Sequence, residues 1–518
     1  LLEKVKGDKM KIVNAIEMKE IESKTSEIYG IDGALMMEHA ASSSYAAIKE
    51  EFGNLDGKNI LVFAGKGNNG GDALALARYL LESGSTVKVC LVFGEPSSDL
   101  AKKNLSILKK LDVECVEYHE NYDLTKDVKN ADIVVDGILG TGSKGQIGKE
   151  LSKIIDIINH SKYTISIDLP TGMDADTGHV SQSCVKANMT ITFGLMKKGM
   201  LLHPARSYCG KVKTEKIGIP EKLVESMELK GEVTTFDDAK KLVPARPAFS
   251  NKGTFGRVLV ISGSSSYTGT PSMVALGALK VGSGLVTVVT PSPFNTVITS
   301  ILPEAIAIPL PDTDFISLKS IKIIDEIAEK SDVMAIGPGL GTKAESEALV
   351  KYILEVWKDK FLVIDADGLN LISKDVDRYQ FNPKMILTPH PGEFARLTSQ
   401  NIAEVISDPV KHALEFSKMR NVNVLLKGPT TVVAKPDGEY ALNITGNSAL
   451  AKGGTGDILT GMIAGFMAQG LCAFDAAKLS AYIHGRAAEI YSQNNSEASM
   501  LVRDLADLIP QVLREINQ

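Results

Sequence analysis

Short apolar runs of strand length recur along this chain, each leading into a Gly-, Asp- or Thr-rich loop and then a stretch of helical length. In the first half such runs fall at residues 60–64, 87–93, 133–136, 164–168, 190–193 and 212–217, after two helical stretches over 16–29 and 34–52. Strands that are apolar throughout, with helices between them, predict a parallel sheet covered on both faces. The charged stretch 221–252, with Pro244 and Pro247, breaks this rhythm. It resumes with strands near 257–262, 285–289, 333–337, 362–365, 385–388, 424–427 and 431–434. A chain of 518 residues exceeds what one core organises, so the reading is two α/β domains, 1–224 and 225–518.

Composition narrows the function classes. With a net charge of -6 and no basic cluster, neither nucleic acid nor a membrane surface is an expected partner. Five scattered cysteines without a Cys-x-x-Cys pair give no disulfide or zinc framework and fit a reducing, cytoplasmic setting. The longest apolar stretch, 458–474, is interrupted by Gly461, Gly465, Gln469 and Gly470, and reads as a buried helix rather than a membrane span. Met10 is read as the native start, with residues 1–9 an unassigned leader.

Gly453-Gly454-Thr455-Gly456-Asp457 stands directly before the apolar run Ile458, Leu459, Met462, Ile463 and Phe466. The glycines therefore open a helix and Asp457 falls in its first turn. Free backbone N–H groups and the positive dipole end suit phosphate oxygens, and a carboxylate among them suits proton abstraction. Four other segments give this one a context. Lys427-Gly428-Pro429-Thr430-Thr431 offers a cation and hydroxyls between two strands, and 337–342 is a glycine loop at a strand end. Asp365-Ala366-Asp367 clusters carboxylates where Mg²⁺ or a polar substrate is held. His390 and Glu393 share a proline-stiffened loop, with His390 serving substrate contact or catalysis.

In the first half, Gly65-Lys66-Gly67-Asn68-Asn69-Gly70-Gly71-Asp72 follows the first strand and satisfies Gly-x-Gly-x-x-Gly. That spacing suggests a dinucleotide-binding dehydrogenase. Asn68 and Asn69, however, sit where compact turns are favoured, and Asp72 would face a pyrophosphate. Asp136 and Asp168 each close a further strand and enter a donor-rich loop, so the strand ends converge on one polar site. The side-chain oxygens of Asn69, Asp136 and Thr171 suit a hard monovalent cation.

These segments, with the stretch 135–142 and Asp168-Leu169-Pro170-Thr171-Gly172, resemble the NAD(P)H-hydrate epimerase domain over about residues 14–220. The resemblance implies a Rossmann-like three-layer sandwich. It implies that Asn68, Asn69, Gly70, Gly71 and Asp72, then Gly140, Thr141, Gly142, Ser143, Lys144, Gly145 and Gln146, and Asp168 hold the hydrated nucleotide. It also implies K⁺ on Asn69, Asp136 and Thr171, and for interconverting the epimers Asp168 is the candidate acid/base. Three positions depart from the family pattern: Ala73 replaces a usual glycine, Gly137 a common alanine, and Thr171 a usual serine that keeps its hydroxyl.

The second half, over about 235–515, resembles the ribokinase-like fold and its NAD(P)H-hydrate dehydratase branch through 427–431, 388–393, 443–447 and 452–457. The order of the halves is that of the fused repair enzyme. The resemblance implies that Lys427, Gly428, Pro429, Thr430, Thr431 and Gly456 contact ADP or ATP, with Mg²⁺. Ala278, Gly339, His390 and Asp457 would contact the hydrate, and Asp457 would be the catalytic base. The implied function epimerises R and S hydrates and dehydrates the S form at the expense of ADP or ATP. Small-molecule substrates and a homo-oligomer follow. The alternatives are a vitamin-precursor kinase fused to a nucleotide-binding domain, or a catalytically silent N-terminal scaffold.

Overall fold

The computed structural model describes residues 10–142 and 147–518, so the leader reading of 1–9 and the expected contacts of Ser143, Lys144, Gly145 and Gln146 lie outside the described residues. Contacts divide the chain into two compact units, 11–231 and 232–518. The stretch that breaks the sequence rhythm contains the helices Glu221–Ser226 and Phe236–Leu242 around the strand Gly231–Val233.

The first unit is built on a parallel sheet in the order Glu114–Glu117, Thr86–Leu91, Asn59–Ala64, Ile133–Gly137, Thr164–Ile167, Met189–Phe193, Lys211–Glu215. The central strand Asn59–Ala64 is buried at every position after Asn59, as an apolar run between two helical layers should be. From it the chain moves outward to Thr86–Leu91 and Glu114–Glu117, then returns on the other side at Ile133–Gly137. The order therefore reverses between Ala64 and Gly137, where open α/β sheets bind ligands. The two loops at this crevice are pressed together: a Cβ on Gly65 would run into the Ile138 carbonyl, and one on Gly70 into that of Gly65.

In the second unit the strands run Ile306–Leu310, Leu285–Pro291, Arg257–Ile261, Val333–Ile336, Phe361–Ile364, Met385–Leu387, Asn423–Leu426, all parallel. Thr431–Ala434 and Tyr440–Asn443 then continue as antiparallel neighbours. The order reverses between Arg257–Ile261 and Val333–Ile336. Their following loops are joined there, with the Ser262 hydroxyl donating to the Pro338 carbonyl at 2.6 Å.

One helix, Thr455–Ala468, is buried along most of its length and crosses the helix Thr270–Lys280 at backbone contact. Side chains at Gly277 and Gly461 would strike the carbonyls of Ile458 and Val274. Glycine at both crossings lets the helices interlock, and burial of Ile458 and Ile463 adds ~1.5–3 kcal/mol each. This packing fixes the helix start that carries Asp457.

Candidate functional site

At the first unit's reversal point, Asn68 to Asp72 form the opening turns of the helix Asn68–Glu82 rather than a loop before it, and Gly67 caps it with no side-chain hydrogen bond. The first turn therefore offers bare N–H groups. Asn69 lies beside Gly140, whose Cβ would sit 3.1 Å from the Asn69 side chain and 3.2 Å from Asp168 Oδ2. Among the described residues, both polar atoms of the Asn69 amide are buried without a partner.

Asp136 is fully buried at the end of Ile133–Gly137. Its Oδ1 accepts from the Thr171 hydroxyl at 2.6 Å and its Oδ2 from the Ser166 hydroxyl at 2.8 Å and the Thr171 N–H at 2.9 Å. Burial raises its carboxyl above the ordinary range, against the pull of these donors. The Thr171 hydroxyl also accepts from the Leu139 N–H at 3.1 Å. The unpartnered amide oxygen of Asn69, the Asp136 carboxylate and the Thr171 hydroxyl are oxygen ligands of the type K⁺ takes, although both Asp136 oxygens already accept from protein donors.

Asp168 has φ +64° and is 8 % exposed. Its two oxygens face different ways. Oδ1 receives Lys197 Nζ at 2.6 Å, and Oδ2 receives the Thr141 N–H at 3.3 Å. The Asp72 carboxyl is pushed well up, first by burial and then by the negative charges of Asp168 and Glu22. Glu22, on the helix Ala15–Tyr29, is raised by burial too, with Lys197 pulling it back.

In the second unit, Gly454 at φ +95° starts the helix of Asp457. The Thr455 hydroxyl ties this start to the Leu450 and Lys452 carbonyls at 2.9 and 2.8 Å. His484, buried and held neutral with its pKa pushed down to about 4 by burial, donates from Nε2 to the Thr455 carbonyl at 3.0 Å. Burial, and next the Asp365 charge, bring the Asp457 carboxyl to about 7, while Lys427 opposes them. A carboxyl near neutrality suits a general base.

Lys427, in the turn between Asn423–Leu426 and Thr431–Ala434, reaches Asp365 Oδ1 at 2.9 Å and Glu393 at 4.0 Å. Burial alone would lower its pKa; Asp365 and Glu393 raise it on balance, so it stays charged. Thr460 donates to Asp365 Oδ2 at 2.7 Å. A Cβ on Gly456 would lie 3.6 Å from Lys427 Nζ. Lys427, Gly456 and Asp457 thus meet around Asp365. Gly428 and Pro429 are exposed in the turn, Thr430 is buried and Thr431 is half-buried.

Asp365 and Asp367 do not form an open cation site. Lys427 and Thr460 hold the first, and the Gly341 N–H donates to Asp367 Oδ2 at 2.8 Å. Among the described residues no group of three or more His, Cys, Asp or Glu could hold a metal.

His390 caps the helix Pro391–Thr398, its Nδ1 accepting from the Gly392 and Glu393 N–H groups at 3.0 and 3.3 Å. Desolvation keeps it below its ordinary pKa, so it is neutral. Gly339 packs against Tyr267 and Thr270, its Cβ position 2.7 and 3.2 Å from theirs. Ala278 requires correction as a ligand contact. It is 0 % exposed, two turns further along the helix, in the core where Gly461 meets its backbone. The residue of that helix facing Gly339 is Thr270.

Profiles of two families match the chain: one described as YjeF-related protein N-terminus over residues 33–199, the other as NAD(P)H-hydrate dehydratase over 258–511. A bifunctional NAD(P)H-hydrate repair enzyme of Moorella thermoacetica is 37 % identical over 98 % of both chains. Its counterpart in Dictyoglomus turgidum is 34 % identical over 98 % of this chain and 99 % of its own. The chain belongs to the bifunctional NAD(P)H-hydrate repair enzyme family. Its halves are the epimerase and dehydratase domains of that family, in that order.

The repair-enzyme assignment extends to solved structures. An ADP/ATP-dependent NAD(P)H-hydrate dehydratase from Bacillus subtilis, co-crystallised with ATP and Mg²⁺, is 33 % identical with a TM-score of 0.50, matching 55 % of this chain and 98 % of its own. A ribokinase-like superfamily protein from Enterococcus faecalis V583 is 26 % identical with a TM-score of 0.51, over 56 % of this chain and 98 % of its own. The C-terminal half is therefore ribokinase-like, as its motifs led one to expect, and the N-terminal half is an α/β sheet domain. Among the described residues no helix is long and apolar enough to cross a membrane.

Sequence reading missed Lys197, Glu22 and His484. Lys197 sits in the two-residue strand Met196–Lys197 without a motif around it. Lys197 and Lys198 stand side by side among Phe193, Leu195, Met196 and Met200, and nothing in that order tells which lysine is buried or what it pairs with.

Proposed function

We propose that the first unit interconverts the R and S hydrates of NADH and NADPH, and that the second dehydrates the S form at the expense of ADP or ATP. The observation carrying this reading is Asp457: a carboxyl near neutrality on a glycine-rich helix start, beside the ammonium of Lys427. Water added across the ring double bond leaves a hydroxyl at C6, and hydroxide is a poor leaving group. Asp457 removes the hydroxyl proton while the oxygen takes the terminal phosphoryl group of the nucleotide. Loss of phosphate from C6, with a proton from C5 passing to solvent, restores the double bond. ADP leaves as AMP. Helix N–H groups and Lys427 stabilise the phosphoryl charge, and one such donor is worth about 10²–10³ in rate. Mg²⁺ arrives with the nucleotide rather than on a preformed cage. His390, Gly339 and Thr270 line the side where the hydrate sits.

In the first unit, Asp168 is the acid/base at the C6 hydroxyl, and Asn69, Asp136 and Thr171 hold K⁺. When bound, the cation fixes the crevice loops and offsets the buried Asp136 charge. The hydrated nucleotide lies over Asn68 to Asp72 and Gly140 to Gly142. A homo-oligomer in the cytoplasm is part of the same reading.

Incubation of mixed NADH hydrates with protein, Mg²⁺, K⁺ and either nucleotide tests the proposal. Recovery of the reduced-nicotinamide absorbance from both epimers, with equimolar free phosphate, is expected. A stable phosphorylated product would point to a kinase, and recovery stalling at the S fraction to a silent first unit.

A further inference from the structure

Lys197 is 1 % exposed, a severe placement for a lysine, whose charge is costly to bury unless fully paired. Its ammonium donates to Asp168 Oδ1 at 2.6 Å, to the Thr192 hydroxyl at 3.0 Å and to the Phe193 carbonyl at 2.9 Å. These acceptors use its three N–H bonds, so it has none left for substrate. The Thr192 hydroxyl in turn donates to the same Asp168 oxygen at 3.4 Å.

Lys197 and Thr192 together occupy one oxygen of Asp168 and leave the other for the crevice. That second oxygen lies 3.2 Å from the Cβ position of Gly140 and 3.3 Å from the Thr141 nitrogen. The backbone of Asp168 is held as well: φ is +64°, rare for a residue with a side chain, and its N–H donates to the Ile191 carbonyl at 2.8 Å. Around this pair stand the carboxyls of Asp72 and Glu22, both subject to the Asp168 and Lys197 charges. With the ammonium gone, Asp168 would be a buried carboxylate facing two further carboxyls, free to swing about its side-chain torsions.

We propose that Lys197 is a positioning residue of the epimerase site, splitting the Asp168 carboxylate so that Oδ1 is anchored and Oδ2 faces the ligand loop at Gly140 and Thr141. The inference rests on the epimerase reading of the first unit. Lys197 acts through Asp168 and does not touch the reacting atoms. Misplacing an acid/base group by about 1 Å costs on the order of 10²-fold in rate, and the loss belongs mainly in kcat because Asn68 to Asp72 and Gly140 to Gly142 carry most of the substrate contacts.

The test compares Lys197→Met, Lys197→Arg, Asp168→Asn and the Lys197→Met/Asp168→Asn double variant in the full chain. R-to-S interconversion is followed from one purified epimer without nucleotide, with the spontaneous rate subtracted. The dehydratase activity of the same preparations reports an intact chain. For Lys197→Met the expectation is a kcat loss of about 10²-fold with KM changed less than about threefold. Lys197→Arg should recover part of it, and the double variant should be no slower than Asp168→Asn. Should Lys197→Met fail to fold, Thr192→Val, which removes one anchor of the ammonium, should lower kcat several-fold by itself. Undiminished kcat in Lys197→Met or in Thr192→Val, a loss confined to KM, or a double variant slower by the product of the single losses would overturn the proposal. Wild-type protein that does not speed interconversion would instead overturn the epimerase reading.

Discussion

The methyl of Ala73 occupies the space that a side chain on Gly137 would need: a Cβ built on Gly137 falls inside it. Both residues depart from the epimerase pattern, which usually has glycine at the first position and often alanine at the second. Only one methyl fits between the helix Asn68–Glu82 and the end of Ile133–Gly137, and here Ala73 supplies it.

This overlap predicts strong coupling. Gly137→Ala alone should destabilise by about 1–3 kcal/mol through overpacking, and Ala73→Gly alone by roughly 0.5–1 kcal/mol as a helix glycine. The double variant should regain much of the first loss, leaving an interaction of about 1–2 kcal/mol. Urea unfolding of the four proteins measures it; additive losses would mean the two positions do not share the space.

The raised carboxyl of Asp457 sets a pH dependence. A base must be ionised, so dehydration kcat should climb about tenfold per pH unit below its midpoint near 7 and level off above. Stability should move the opposite way. A carboxyl raised above its unfolded value of 3.8 favours the fold in its neutral form, and that contribution fades as pH rises towards 7. The melting-temperature advantage of Asp457→Asn should therefore grow between about pH 4 and pH 7 and then hold constant. A flat difference across that range would place the carboxyl in water.

How much of this was legible in the sequence follows from what each signal depends on. Parallel strands announce themselves because burial on both faces makes them apolar throughout, and the runs ending at Ala64, Asp136 and Ile336 each delivered a loop to a reversal point. The glycine helix start at Gly454 was readable because its N–H groups need a partner from outside the helix. Lys197 was not readable: its meaning comes from Asp168, 29 residues away in sequence and met only in the fold. The same holds for Asp365, which in sequence reads as holding Mg²⁺ or a polar substrate and in the fold is held by Lys427 and Thr460. Ala278 was ambiguous because a small residue beside Gly277 serves helix crossing as readily as ligand approach, and here Gly461 packs on its backbone.

His390 separates structural from ligand roles. His390→Ala should lose about 1 kcal/mol with the helix cap, while His390→Asn keeps an acceptor there and most of that stability. If the ring contacts hydrate, both variants should show a several-fold higher KM for hydrate with kcat largely kept. Steady-state kinetics alongside thermal melting checks this, and a collapse of kcat in the Asn variant would make His390 a catalytic group.

Gly456 tests where the phosphates pass. A methyl there meets Lys427 Nζ at 3.6 Å, an ordinary contact, so Gly456→Ala should fold at least as well as wild type. It would nonetheless stand between the helix start and the ammonium. A nucleotide KM raised on the order of tenfold is expected, with the hydrate KM unchanged. Unaltered nucleotide affinity by calorimetry would put the phosphates elsewhere.

The central claim is that Asp457 takes the proton from the hydrate's C6 hydroxyl on a phosphate-binding helix start. Asp457→Asn, assayed at pH 8 with S-NADH hydrate, Mg²⁺ and saturating ADP or ATP, tests it most directly. A placed base contributes about 10²–10⁴ in rate. The account predicts a kcat loss of that size with nucleotide affinity retained within a few-fold; turnover matching wild type would contradict it.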